Sequence, residues 1–164
     1  MQDYSFFQRI SEYQPTPWEM IPDLGLYMDQ VVTFIERQLE TLYGEKARGM
    51  LTPSMINNYV KTGLAPRPLG KKYYREHLAV LMMIVMLKPV ASMDDISKLT
   101  ALAGGRTVEQ LYSEFCRTQA EVFSHVSIDP AATALQHAVT ATAYSMIAEA
   151  ALNGNLLPEE EREE

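Results

Sequence analysis

Four side chains in this chain are spaced for hydrogen-bonding chemistry. Ser54, Asn57, Asn58 and Lys61 recur at three- and four-residue intervals inside LTPSMINNYVKTGL. On a helix that spacing puts them on one face, with Ile56, Tyr59 and Val60 on the other. The polar face offers a hydroxyl, two amides and one cation, and no acid. Such groups suit base edges and phosphates. Four more cations follow in the next turn: Arg67, Lys71, Lys72 and Arg75.

The charge distribution around this stretch is one-sided. The chain carries 14 basic and 21 acidic residues, a net of −7. Positions 46–75 hold Lys46, Arg48, Lys61, Arg67, Lys71, Lys72 and Arg75 without one Asp or Glu. That segment carries +7, so the rest carries −14. Two readings follow. One is a local polyanion site on an acidic protein. The other is a solvated basic loop that pairs with surface acids elsewhere.

Other chemistry finds little support. Gly104-Gly105 reads as a helix stop and lacks the Gly-Lys-Ser/Thr signature of a phosphate loop. Cys116 and His125 are nine residues apart, which is no metal spacing, and His137 lies further along. His77, beside Glu76, reads as a helix-end or surface histidine. Met82, Met83 and Met86 sit in an apolar run where methionine fills gaps. A hydrophobic effector pocket among the C-terminal helices has no evident polar anchor. The chain is therefore expected not to be an enzyme and to carry no cofactor or metal.

The elements that position the polar face are legible. Thr52 is a good N-cap, Pro53 fits the first helical position, and Gly63 fits the C-terminal stop. Upstream, Met1–Tyr13 reads as a short helix or an arm, and Thr16-Pro17-Trp18-Glu19 as a capping box with Trp18 in the core. Leu24–Leu42 is amphipathic through Met28, Val31, Val32, Ile35, Leu39 and Leu42, and ends at Tyr43-Gly44. Downstream, Ala65–Gly70 holds two prolines and must turn. Lys71–Tyr74 fits a short strand. Leu78–Leu87 is apolar all round and should be the centre of the core. Ser92–Asp95 opens a helix through Leu102. Thr107, with Gln110, opens another to Val126. Asp129-Pro130 caps an Ala-rich last helix running to about Leu152. The residues from Leu156, ending EEEREE, read as a disordered acidic tail.

Composition bounds the class. With 164 residues and 47 % apolar content, the chain can build one domain, or a small domain with a helical extension. Its single cysteine cannot form an intramolecular disulfide. The start, MQDYSFFQRI, does not read as a signal peptide, and the longest apolar run is far short of the ~20 residues a membrane span needs. A cytoplasmic protein without a membrane partner is the expectation.

INNYVKTGL, the turn APRPLGKKYYREHL, a long apolar helix and SMDDISKLTAL together resemble the MerR-type winged helix. Gly63-Leu64, Gly70, Lys72 and Tyr74 follow that family's order of recognition-helix end and wing. PTPWEMIPDL, LYMDQ, TPSMINNYVK and KKYYREHL more closely resemble a bacterial family of unknown function, domain-of-unknown-function family 1836, over roughly 15–102. That family is usually described as MerR-like. The resemblance implies a mainly α fold: a MerR-like winged helix-turn-helix core with a C-terminal helical hairpin or bundle extension. The expected division is 1–104 for the winged-helix domain with its N-terminal arm, 105–155 for a C-terminal dimerisation part, and 156–164 for the tail. The family's DNA-contacting basic residue and tyrosine fall here on Asn57 and Asn58, and its wing arginine on Lys72. TLYGEKARGM is longer than the family's usual turn before the recognition helix. The expected function is double-stranded DNA binding by a homodimeric transcriptional regulator. Its helix 53–62 would lie in the major groove and its wing 66–75 on phosphates. The alternative is a protein–protein interaction module that kept the winged-helix fold without DNA.

Overall fold

The structure is a computed structural model describing residues 4–101, 105–129 and 131–154. Seven α-helices occur among the described residues: α1 (Tyr4–Ser11), α2 (Met28–Tyr43), α3 (Pro53–Lys61), α4 (Arg75–Leu87), α5 (Met93–Leu99), α6 (Val108–Ser124) and α7 (Ala134–Leu152). Short 3-10 turns at Trp18–Met20 and Gly44–Ala47 precede and follow α2. Among the described residues pairing outside helices is limited to two isolated antiparallel bridges, Leu26 with Tyr73 and Leu69 with Lys72. No described helix is long and apolar enough to cross a membrane.

The apolar run is the hub, as its lack of any polar stripe requires. Nine consecutive residues of α4, His77 to Val85, are buried. Around them pack Val31, Ile35 and Leu39 of α2, Ile56 and Tyr59 of α3, Ile96 of α5, and Leu111 and Tyr112 of α6. Burying a large aliphatic side chain stabilises by about 1.5–3 kcal/mol, so α4 is the largest local contributor to the core. The Tyr112 hydroxyl donates to Thr16 O at 2.7 Å, which ties α6 to the N-terminal segment. Burial, followed by the neighbouring Cys116, pushes the Tyr112 hydroxyl up, so it stays a donor.

Several local expectations need correcting. Thr16 does not cap a helix; its hydroxyl donates to Gln38 on α2, and the 3-10 turn after it has no side-chain cap. The second helix starts at Met28, four residues late, because Leu26 is held extended by its bridge to Tyr73. The fifth helix ends at Leu99; Leu102 and Gly104 lie outside the described residues. The sixth ends at Ser124, and its Thr107–Gln110 box forms as expected. The last helix is capped by Thr133, with Gln136 reaching back, and not by Asp129. Asp129 instead accepts from the Ala131 N–H at 2.9 Å; Pro130 and the acidic tail from Leu156 lie outside the described residues.

The C-terminal helices do not form the expected hairpin. α6 packs along α4 and α1, and α7 touches α5. Leu111 and Tyr112 thereby join the same core as the helices before position 104. α7 stands apart from that core, with no buried residue.

Candidate nucleic-acid interface

α3 forms as its punctuation dictates. The Thr52 hydroxyl accepts from the Met55 N–H at 3.3 Å, Pro53 takes the first turn, and Gly63 closes the helix at φ 78°. Such a cap stabilises a helix by about 1 kcal/mol. Ile56 and Tyr59 are buried, and Ser54, Asn57, Asn58 and Lys61 are all exposed. The four therefore share one solvent stripe, as their spacing requires. The far end of α3 is anchored by Lys88, whose ammonium donates to the Tyr59 hydroxyl at 3.0 Å. That bond fixes the helix to the end of α4.

The turn that follows is tighter than a two-strand wing. Leu69 and Lys72 exchange both backbone hydrogen bonds, at 2.9 and 3.0 Å, around Gly70 and Lys71. Both central residues have positive φ, 56° and 66°, the signature of a type I′ hairpin turn. Lysine at such a φ is unusual, because Cβ crowds the backbone, at a cost of roughly 1–2 kcal/mol. The next rung of a ladder would pair Arg67 with Tyr74. His77 takes its place: Nδ1 accepts from the Tyr74 N–H at 3.0 Å, and Nε2 lies 2.9 Å from Arg67 O. With Nδ1 accepting, the remaining ring proton sits on Nε2 and donates to that carbonyl. The expected strand over Lys71–Tyr74 is thus absent, and Lys72 and Tyr73 make isolated bridges only. The expectation of a surface or helix-end histidine was half right. His77 stands in the first turn of α4, but it is buried and bridges turn to helix.

The expected cations separate into two groups. Lys61, Arg67 and Lys71 are exposed, as are Lys46 and Arg48 ahead of α3. Among the described residues none of these five has a carboxylate within 4.0 Å. The expected surface pairing with acids is therefore not seen. Lys72 is half-buried. Its stem lies against Gly25, where an added Cβ would come within 2.7 Å of it, and its ammonium sits 5.5 Å from the Tyr27 ring centre. Arg75 is committed elsewhere. Its Nε donates to Ile21 O at 2.9 Å, its guanidinium lies 5.6 Å from the Trp18 ring centre, and Asp23 is 4.0 Å away. That is a structural strap holding the 3-10 turn to α4. Sequence reasoning could not see it, because the partners lie more than fifty positions upstream.

The model of a family described as a domain of unknown function, DUF1836, matches residues 16–115. The chain belongs to that family. The match takes in the 3-10 turn at Trp18, the α2–α3 pair, the turn, α4, α5 and the first half of α6. It stops short of α7, so the matched part coincides with the packed core. No curated protein and no solved structure matches the chain.

One polar residue escaped the sequence reading. Gln119 is buried on α6, eight positions after Leu111 and four after Phe115, on the helix's apolar face. That break in the stripe was a readable signal. Among the described residues no group of three or more His, Cys, Asp or Glu side chains converges as a metal site would require.

Proposed function

We propose that this DUF1836 chain is a DNA-binding transcriptional regulator with a winged-helix-like core, acting as a homodimer. One observation carries the reading. Five exposed cations flank or belong to a helix whose free face is Ser54, Asn57, Asn58 and Lys61, and none has a carboxylate partner among the described residues. A protein with a net charge of −7 that leaves these cations unpaired offers a polyanion a defined landing place. α3 is the element for the major groove, with its amides toward base edges. Lys71, held at the tip of the I′ turn, and Arg67 meet phosphates, with Lys72 beside them. Arg75 leaves the contact set, since its guanidinium is used inside the protein. The core order of α2, α3, tight turn and α4 supports the winged-helix likeness, with the turn as a minimal wing.

The dimer rests on α7. Leu135, Val139, Met146 and Ile147 lie exposed along it, while Ser145 is tied to the turn after α4 by a 2.9 Å bond to Val90 O. Leu135, Val139, Ala143, Met146 and Ala150 recur at four-, four-, three- and four-residue spacing, the seam of a helix pair. Two-fold pairing would present two recognition helices to two half-sites. The same exposed apolar helix, together with the uncharged Asn57 and Asn58, favours a second reading, a protein–protein module without DNA.

Random-sequence duplex DNA, bound at two salt concentrations and then selected and sequenced, separates the two. The regulator gives salt-sensitive binding and an enriched palindrome; no binding at low salt leaves the interaction module. Replacing Lys71 and Lys72 together by Gln should weaken binding to every sequence and flatten its log–log salt dependence by about two units. An unchanged slope removes the turn from the interface.

A further inference from the structure

A cleft of about 700 Å³ opens between the C-terminal half of α4 and α6. Its walls are mainly apolar: Met83, Met86, Leu99, Phe115, Val122 and Phe123. Gln119 lines it too, 8 % exposed, and its amide makes no hydrogen bond to any other described residue. That amide, open to the cleft and unpartnered within the described residues, is a ready anchor for a ligand group. The two charged residues at the cleft, Arg106 and Glu114, pair with one another at 2.8 Å and leave no net charge there.

We propose that this cleft binds a small, neutral, largely apolar molecule carrying one hydrogen-bonding group, which the Gln119 amide holds. The volume is that of small-molecule sites, which run to roughly 300–1,000 Å³ and combine apolar walls with few polar anchors. A second copy's α7 is not the occupant. A helix of 19 residues is about 10 Å across and about 28 Å long, far more than the cleft encloses. The internally paired rim disfavours an anion or a cation. The proposal stands apart from the DNA reading, since none of its residues belongs to the α3 face or the turn.

The test uses the full chain and the neutral fluorophore N-phenyl-1-naphthylamine, whose N–H can donate to the Gln119 carbonyl. Saturable binding of one probe per chain is expected. Its CH2 analogue, 1-benzylnaphthalene, should displace the probe three- to tenfold less well than unlabelled N-phenyl-1-naphthylamine, the worth of one hydrogen bond. In Gln119→Leu that preference should fall to about one. Thr118→Trp with Val122→Trp, at two cleft positions exposed on α6, should fill the cleft and weaken probe binding at least tenfold while circular dichroism stays helical. Met146→Lys on α7 should leave it unchanged. Binding that survives the double Trp variant, or that Met146→Lys abolishes, places the probe elsewhere and overturns the proposal. Equal affinity for the two compounds in the wild type overturns the role of Gln119.

Discussion

α4 and α7 are both apolar helices, and they end in opposite places. α4 buries nine consecutive residues; α7 buries none along its 19. Leu135 is 73 % exposed and Met146 66 %, whereas Leu81 is 1 % exposed. The difference lies in connectivity and bulk. α4 follows a two-residue turn and packs chiefly along α6 and against α2, and its large side chains fill the space between the helices. α7 follows an irregular stretch after Ser124, and its many alanines offer little area to any one neighbour. The core closes without it. An apolar helix is thus no guide to the interior of its own chain; surface left over by a closed core is available to another molecule.

The largest effect should come from truncation in α4. Leu81→Ala is expected to lower unfolding stability by about 2–5 kcal/mol, because the cavity has no solvent to fill it. Leu135→Ala, in dilute protein, should change it by less than about 0.5 kcal/mol. Urea titration of the two variants measures the contrast directly, and equal losses would mean that α7 is buried against its own chain. Val139→Lys with Met146→Lys sharpens the comparison from the other side. Sedimentation velocity should show the dimer giving way to monomer, with dissociation at least a hundredfold easier. A wild type that stays monomeric at high concentration removes the self-association reading.

A smaller loss is expected at the start of α4. His77→Ala strips the Tyr74 N–H and the Arg67 carbonyl of their partner, at about 1–3 kcal/mol. The turn should loosen while α7 keeps its helix, and amide exchange at Tyr74 should accelerate relative to residues of α7. Alkali supplies the mildest probe. Burial, then the neighbouring Cys116 and Tyr43, pushes the Tyr13 hydroxyl up to about 12. The folded chain therefore holds that proton more tightly than the unfolded chain, where tyrosine titrates near 10. The associated stability is complete below about pH 10 and is lost as pH rises toward 12. Denaturant midpoints should fall across that window, and Tyr13→Phe should remove part of the fall.

Much of the site's frame was legible because it depends on neighbours in sequence. The cap at Thr52, the stop at Gly63 and the stripe of Ser54, Asn57, Asn58 and Lys61 are all set within one helix. The all-round apolar run had to be the centre, and it is. The missing strand and the late start of α2 were not legible. Each turns on which backbone group finds a competing partner, Leu26 with Tyr73 and His77 with Arg67. The cap of α7 at Thr133–Gln136 was legible in principle, since it repeats the local pattern of Thr107–Gln110.

By itself, then, the sequence determined a mainly helical chain, a polar helix face and a band of positive charge, since periodicity, capping and charge are local properties. Tertiary structure alone decided which cations stay free. Arg75 is drawn inward by Ile21 and Trp18, and Lys72 is laid on Gly25, while Lys71 is lifted into solvent by a positive-φ turn. It also decided that α7 stands outside the core, and that the Gln119 amide faces a cleft with no partner of its own among the described residues. These outcomes depend on distances between segments far apart along the chain, which spacing along it does not encode.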